Sequence, residues 1–588
     1  MNRTQAKTST KQLVPIITAS SVGTIIEWYD FYIFASLATI VSTRFFPKEN
    51  PIAAFLATLA TFSAGLVIRP FGALFFGRLG DMIGRKYTFM ITLLLMGGST
   101  FAIGLVPEYE TIGFLAPVII LILRLLQGLA IGGEYGGAAT FVAEHAPIGK
   151  RGFWTSWIQT TTTFGLVISI CVILITKNSM SAVDWETWGW RIPFLVSVIM
   201  VIISVWIRKN MRESPLFAKA KAEGKTSSNP LKESFGNKAN LKIVVLALFG
   251  LMVGLGVVGY SASFYVQSFL IKIMFVDYDQ ANMIVITALL SCIPFYIFFG
   301  WLSDRIGRKY ILMLSLLMAM LFFRPVFDKM YQITNLQHKQ ENASAMQTDL
   351  KREQLLNTDS LITTTTLHFY TDGTTCKETK KEIISAGKTK KPEITKTIKV
   401  TDADKWKLIF WEFLLGVIFT MSYGPLAAFL VEMFPLKIRY TSMSLPYHVG
   451  YGIFGGMSLV IATYLIEKAQ AANVTDYYLA GLNYPLVLMS ISLVIGLLYL
   501  KENREGKPVA EMHSKSLNKV KKLMGIVWIL LGLVAAWYGV FKLGIPKLTS
   551  GNKDDLIFGI IVMFFITPVA ASGLLLFGKY ALSGEYNE

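Results

Sequence analysis

Carboxylates and guanidinium groups set inside long apolar runs are the first chemistry the chain offers. Glu27 and Asp30 stand three residues apart within the run 16–42, a spacing that puts both on one face of a helix. A charged carboxylate at mid-bilayer depth costs about 2.5–3.5 kcal/mol on insertion scales, so something must offset it. Two readings follow: one or both carboxyls take up and release a proton, or a permanent ion pair with an arginine merely fixes helix packing. Arg124 lies in the outer half of the run 115–142, too deep to reach water easily along its stem. Its planar fork suits a carboxylate, either that of a bound molecule or that of Asp30 or Glu27. Glu134 follows in the inner half of the same run among glycines; proton carriage and a pairing with Arg69 or Arg151 are both open for it.

Uncharged groups placed to line a cavity are Tyr29, Gln127, Gln159, Tyr260, Gln267 and Tyr423. Thr160 to Thr163 follow Gln159, although Ser and Thr also bond back to their own helix carbonyls. Tyr423 precedes Gly424-Pro425, a pair that should break a helix and free carbonyls where a cavity is lined. Tyrosines near helix ends more commonly form an interfacial belt, and His448 reads as a packing histidine ahead of a proton relay. Gly128, Gly132 and Gly136 repeat every four residues, which lets a neighbouring backbone approach closely. No nucleophile, base and orienting group occur together, so no catalytic residues are expected. The cysteines Cys171, Cys292 and Cys376 have no metal-ligand spacing, so neither a metal nor a cofactor is expected.

The elements that must hold these groups are transmembrane helices. The 588 residues are 53% hydrophobic and only 16% charged, outside the range of a soluble domain, and the natural solvent is a lipid bilayer. Fourteen runs are long enough to span about 30 Å of hydrocarbon: 16–42, 52–76, 87–106, 115–142, 153–176, 191–208, 241–270, 282–300, 310–327, 406–433, 441–466, 482–500, 523–545 and 557–580. The net charge of +18 comes mostly from short segments between runs, which speaks against nucleic acid. With the N-terminus inside, the inner loops hold 24 Lys and Arg and the short outer loops about seven, so both termini are expected in the cytoplasm of a bacterial-type cell, with the chain in its inner (plasma) membrane. The start through about Gln12 carries no small-residue cleavage site, so no removable signal peptide is expected.

The chain also repeats itself. Gly77-Arg78-Leu79-Gly80-Asp81-Met82-Ile83-Gly84-Arg85-Lys86 returns 223 residues later as Gly300-Trp301-Leu302-Ser303-Asp304-Arg305-Ile306-Gly307-Arg308-Lys309. Phe141, Glu144, Pro147 and Arg151 return 288 residues later as Phe429, Glu432, Pro435 and Arg439. Both copies of each pair fall on the same side, as expected of parallel six-helix repeats with a binding site between them. The offsets differ by 65 residues, an insertion that must fall in the polar segment 328–405. The expected divisions are an N-terminal bundle 1–208, a cytoplasmic linker 209–240, a C-terminal bundle of 241–327 with 406–500, a periplasmic insert 328–405, a cytoplasmic linker 501–522 and two added helices in 523–588.

These motifs carry a resemblance. The paired loops are similar to the cytoplasmic signature of the major facilitator superfamily. Glu27-Trp28-Tyr29-Asp30-Phe31, Arg69-Pro70-Phe71-Gly72-Ala73, Arg124-Leu125-Leu126-Gln127-Gly128 with Gly132-Gly133-Glu134-Tyr135-Gly136-Gly137-Ala138, and Arg212-Glu213-Ser214-Pro215 resemble its metabolite:proton symporter family. The resemblance covers roughly 14–327 and 406–500 and implies an all-α major facilitator fold. It further implies symport of a dicarboxylate, tricarboxylate, shikimate, proline or betaine, with Glu27, Asp30, Arg124 and Glu134 as candidates for proton and substrate coupling. Three departures stand out: Met82 where the first loop motif usually has Arg, which predicts a weaker first latch, the 65 extra residues, and the two added helices.

At the cytoplasmic mouth the expected gate is Arg69, Asp81, Arg85, Glu144, Arg151, Asp304, Arg308, Glu432 and Arg439, its carboxylates facing helix N-termini or pairing with the basic groups. Ser214-Pro215 reads as the N-cap and first residue of a short helix, and Asn229-Pro230 as the start of another. The insert is expected to begin as a charged helix to about Asn357 and to continue in strands near Leu361–Tyr370 and Ile394–Val400, parted by a turn at Thr371-Asp372-Gly373. The reading is therefore a proton-coupled transporter of a small organic acid or zwitterion, with protons and lipid as its other partners and no protein partner specified. Two alternatives remain: a carrier of sugars or other neutral solutes, and a transporter-like sensor, although no output domain flanks the helices.

Overall fold

The computed structural model describes residues 10–46, 58, 61, 64–209, 213–354, 360–385, 388–389, 392–502, 518–549, 559 and 562–586. Arg212, the first half of the run 52–76 and most of 501–522 lie outside them. The long helices are α1 (Thr10–Ser36), α2 (Arg69–Met82), α3 (Arg85–Leu105), α4 (Leu115–His145), α5 (Arg151–Asn178), α6 (Ile192–Lys209), α7 (Lys238–Ile273), α8 (Tyr278–Ile306), α9 (Arg308–Thr334), α10 (Asp402–Met433), α11 (Leu436–Ala471), α12 (Asn483–Tyr499), α13 (Asn518–Leu548) and α14 (Val562–Leu582). Among the described residues, twelve helices are long and apolar enough to cross a membrane. Apart from these twelve stand α1, which carries Glu27 and Asp30, and α2, which is described over only 14 residues.

Two features of the repeated loop are dictated locally. Gly84 and Gly307 sit at φ 131° and 111°, where a side chain would be strained, and each turns the chain between two helices. The glycines of α4 do what their spacing predicts. A Cβ on Gly132 would come within 2.7 Å of Ala73 N in α2, and Gly128 meets Gly65 and Ile68 on the same side. Gly136 instead faces Tyr440 and Ser444 of α11. Helices α7 and α11 contain widened π-type turns at Ser261–Tyr265 and His448–Gly455, a form that recurs at functional positions. They cross tightly at Gly256 and Gly450.

The insert differs from expectation at its start. Helix α9 runs on to Thr334, and the charged stretch read as helix is strand β1 (Gln347–Gln354). It pairs antiparallel with the Thr-rich β2 (Ser360–Phe369), Gln347 opposite Leu367. Cross-strand pairing has overridden the helical preference of Lys-Arg-Glu-Gln. The expected turn then leads into β3 (Thr375–Ser385), which pairs with β4 (Lys388–Thr389) and β5 (Glu393–Lys399). Since α9 starts at a loop motif and ends here, the sheet lies on the face opposite the loop motifs. It is tied to the α7–α8 turn by Asp277 N donating to Ile398 O at 2.8 Å and Ile398 N donating to Phe275 O at 2.6 Å. Lys339 clamps it to α10, reaching Asp372 at 2.7 Å and Asp404 at 3.0 Å.

Helices α13 and α14 pack on each other through Gly525, Gly532 and Gly539, seven residues apart, against Leu582, Leu575 and Thr567. They dock on the rest through the Tyr499, Trp528 and Phe577 rings and through Lys242 Nζ, which donates to Glu585 O at 2.9 Å.

Candidate functional site

Helix α1 presents Asp30 to α3 and α4. Its carboxylate is 1% exposed and neither oxygen makes a well-formed hydrogen bond; Thr100 and the Arg124 guanidinium stand beside it. Arg124 Nη1 donates to Gln127 Oε1 at 2.7 Å, and Gln127 Nε2 donates to Thr100 Oγ1 at 2.6 Å. The guanidinium lies 4.1 Å from the centre of the Phe34 ring. Three helices thus build one polar pocket from an acid, a base, an amide and a hydroxyl, all buried.

Arg69, expected at the gate, belongs with this group. It begins α2 and is buried over the Phe31 ring at 5.0 Å, close enough to Arg124 and Tyr260 for its charge to act on both. The physical reason is helix length: α2 continues through Gly77 to Met82 because that stretch packs on Tyr440 and Thr441 of α11. Arg69 is therefore twelve residues from Asp81, about 18 Å along the axis.

Glu27 projects toward a stack of tyrosines, acting electrostatically on Tyr135 and Tyr447. Tyr135 lies face to face with Tyr447 at 3.7 Å, Tyr423 and Tyr447 share a 2.6 Å hydrogen bond, and Gln159 Nε2 donates to Tyr135 OH at 3.0 Å. Tyr451 lies parallel to Tyr447 at 5.6 Å, and Tyr260 tilts against Tyr451 at 5.1 Å. Helices α1, α4, α5, α7, α10 and α11 all contribute. Beside this stack, Tyr32 packs on Phe264, and a cavity of about 10 Å³ lined by Tyr32, Thr163, Phe264, Tyr296 and Tyr451 has room for about one water.

Three expected members stand elsewhere. Tyr29 OH donates to Pro193 O at 2.8 Å and the ring packs with Phe45 and Trp190 outside the pocket, because one residue of offset from Asp30 turns it about 100° around the helix. Gln267 is engaged with Asn282 at 2.6 Å between α7 and α8. Glu134 accepts from Thr92 at 2.7 Å between α3 and α4, and ten residues, about 15 Å of helix, part it from Arg124.

The remaining charged candidates form two matched clusters at the loop motifs. Asp81 accepts from Thr441 N at 2.9 Å, Thr441 Oγ1 at 2.8 Å and Tyr440 N at 3.3 Å, capping a helix of the other half. Asp304 reciprocates, accepting from Gly152 N at 2.9 Å and Phe153 N at 2.8 Å. Arg85 bridges Asp81 at 3.1 Å and Glu144 at 3.4 Å, with Arg439 on Glu144 at 3.2 Å. Arg308 bridges Asp304 at 2.9 Å and Glu432 at 2.6 Å, with Arg151 on Glu432 at 3.4 Å. Ser214 also bonds Glu144, besides capping its own helix at Phe217 N as expected. Arg305 lies over the Trp301 ring at 4.1 Å and enters none of the described ion pairs, so Met82 removes none from the first cluster. A third matched pair escaped the sequence reading: Glu213 accepts from Lys86 N at 3.2 Å, and Glu502 from Arg308 N at 3.0 Å and Lys309 N at 2.7 Å. The signal was there, an acid one loop beyond α6 and α12 at nearly the 288-residue offset.

Buried ionisable groups converging between two sets of helices, with latched loops on one face, define a membrane carrier. The chain belongs to the family described as Sugar (and other) transporter, which matches residues 16–348, and is a transporter, not an enzyme. Residues 517–588 match a family of unknown function, DUF6814. A proline/betaine transporter of Escherichia coli is 28% identical over 82% of each chain. The inner membrane metabolite transport protein YhjE of the same organism is 30% identical over 83% of this chain and 94% of its own, and its shikimate transporter is 34% identical over 52% and 70%. The solved proton:xylose symporter XylE shares the fold, with a TM-score of 0.57 at 16% identity over 85% of this chain and 98% of its own.

Proposed function

We propose that this protein is a proton-coupled symporter of a small organic acid or zwitterionic metabolite, working by alternating access. The observation that carries the reading is Asp30, fully enclosed beside Arg124 with its oxygens unsatisfied. A carboxylate so placed is costly while charged; taking up a proton relieves that cost and removes its competition with a substrate carboxylate for the neighbouring Arg124 guanidinium. The tyrosine stack beside Glu27 suits the cationic end of a zwitterion. Relatives named for proline/betaine and shikimate support this class. A neutral sugar would need several free amides, whereas Gln127 and Gln159 are already engaged.

In this scheme 1–208 rocks against 241–327 with 406–500, and the loop-motif clusters hold the cytoplasmic face shut while the site faces out. The chain sits in the inner membrane with both termini in the cytoplasm and the insert in the periplasm. Proteoliposomes given radiolabelled betaine, proline, shikimate or xylose, with and without an imposed inward proton gradient, test it. Accumulation of a carboxylate-bearing solute above equilibrium only with the gradient is expected; uptake indifferent to the gradient contradicts symport.

A further inference from the structure

The second half holds one buried acid outside both the tyrosine stack and the loop-motif clusters. Glu412 lies in α10 at 0% exposure, and neither of its oxygens has a hydrogen-bond partner. The helix is pressed against α8 one turn further on, where a Cβ on Gly416 would meet Cys292 Sγ at 2.5 Å, and Cys292 Sγ reaches Phe413 O at 3.6 Å. Among the described residues, the titratable group facing Glu412 is the Cys292 thiol of α8, with Tyr296 one turn beyond it. No charge from α7 or α9, which also pack on α10, acts on it. An acid with no cation to pair with is not a structural ion pair, the ordinary use of a buried carboxylate.

On the insert side, a groove of about 290 Å³ between α8 and α10 is lined by the polar Asp279, Gln280, Thr287 and Lys405 and by the apolar Ile409, Met283 and Trp406, the last two more than half exposed. Lys405 and Ile409 share a helix face with Glu412, and Ile409, which lines the groove, is three residues away, about 4.5 Å along the axis. The charged groups at the mouth are Asp279 and Lys405, the latter paired with Asp402 at 2.6 Å. Gln280 bonds Val400 at both ends, at 2.9 and 3.0 Å, so the insert borders the mouth.

We propose that Glu412 is a second proton-binding site, in the half opposite Asp30, which exchanges its proton with the outer water through the groove between α8 and α10 when Ile409 yields. A hydronium ion gives its proton to a carboxylate oxygen and water leaves; no other reactant is needed. The place of this step in a transport cycle rests on the symport reading, but proton binding itself does not.

The test therefore uses no substrate. In full-length protein in lipid nanodiscs, infrared spectra report protonated carboxyl groups by their carbonyl stretch, which shifts down when the proton is replaced by deuterium. Glu412→Gln should delete one such band, Glu412→Asp should move it without deleting it, and Asp30→Asn should leave it in place. On transfer to heavy water the band should shift in the unaltered protein, and at least tenfold faster in Ile409→Gly. A protonated-carboxyl signal unchanged by Glu412→Gln overturns the proposal, as does an exchange rate unaffected by Ile409→Gly. Uptake that ignores a proton gradient would sink the symport reading while leaving these bands where they are.

Discussion

At the scale of single residues, the groups that compete for Arg124 decide what the pocket can bind. Its guanidinium already holds Gln127 at 2.7 Å, and Lys cannot reproduce a planar fork. Arg124→Lys should therefore lower uptake at least tenfold, about 1.4 kcal/mol, while thermal unfolding of the purified protein stays close to that of the parent. Tyr447→Phe removes only the hydrogen bond to Tyr423 and should cost about 0.5–1.5 kcal/mol, read as a small rise in half-saturation with the maximal rate kept. Asp30, Glu27 and Arg124 were legible in the sequence because a charge inside an apolar run has few explanations. Glu412 was legible on the same ground in the run 406–433 but was not singled out, and Arg69 was placed at the wrong depth because the apolar stretch ends before its helix does. Tyr29 shares a motif with Asp30 yet faces away, since neighbours on a helix point in different directions.

Helices and loops explain how those residues are held. Asp81 and Asp304 each cap a helix of the opposite half, so both clusters must open for the halves to separate on that face. Asp81→Asn should slow uptake several-fold with little change in half-saturation, and joining it to Asp304→Asn should slow it further; a change in affinity alone would remove the conformational role. Gly132 gives an independent check. Its Cβ would fall 2.7 Å from Ala73 N, and backbone cannot yield as a side chain can, so Gly132→Ala should cost about 1–3 kcal/mol, read as a lower melting temperature in detergent. The repeat made the matched clusters foreseeable, because two loops with one pattern and one sidedness imply one job. The strand β1 was not foreseeable, since its own composition favours helix and only pairing with β2, which starts six residues on, holds it extended.

Across the whole molecule, the insert and the last two helices are fastened to the transport helices at named points. In the insert, partial burial raises the Asp372 carboxyl, but hydrogen bonds from Lys339 and Thr374 outweigh it and hold it below the usual carboxylate range. A depressed carboxyl stabilises the fold above its unfolded value of about 4 and loses that contribution as pH falls through the folded value. The insert should loosen in acid, read as faster amide exchange around 370–376, and Asp372→Asn should reduce that pH dependence, leaving the share of Asp404, which Lys339 also holds. The twelve helices of membrane-crossing length among the described residues and the position of the insert could be read from hydropathy and from the mismatch between repeat offsets. The tyrosine stack could not, because it depends on side chains from α4, α7, α10 and α11 meeting in space.

Proton movement coupled to solute movement is the most direct measure of the scheme. Proteoliposomes loaded with a trapped pH indicator, given a transported solute with no gradient imposed, should acidify inside as the solute enters, and Asp30→Asn should carry the solute with little or no acidification. Solute uptake without acidification in the unaltered protein, or equal acidification with Asp30→Asn, would contradict it.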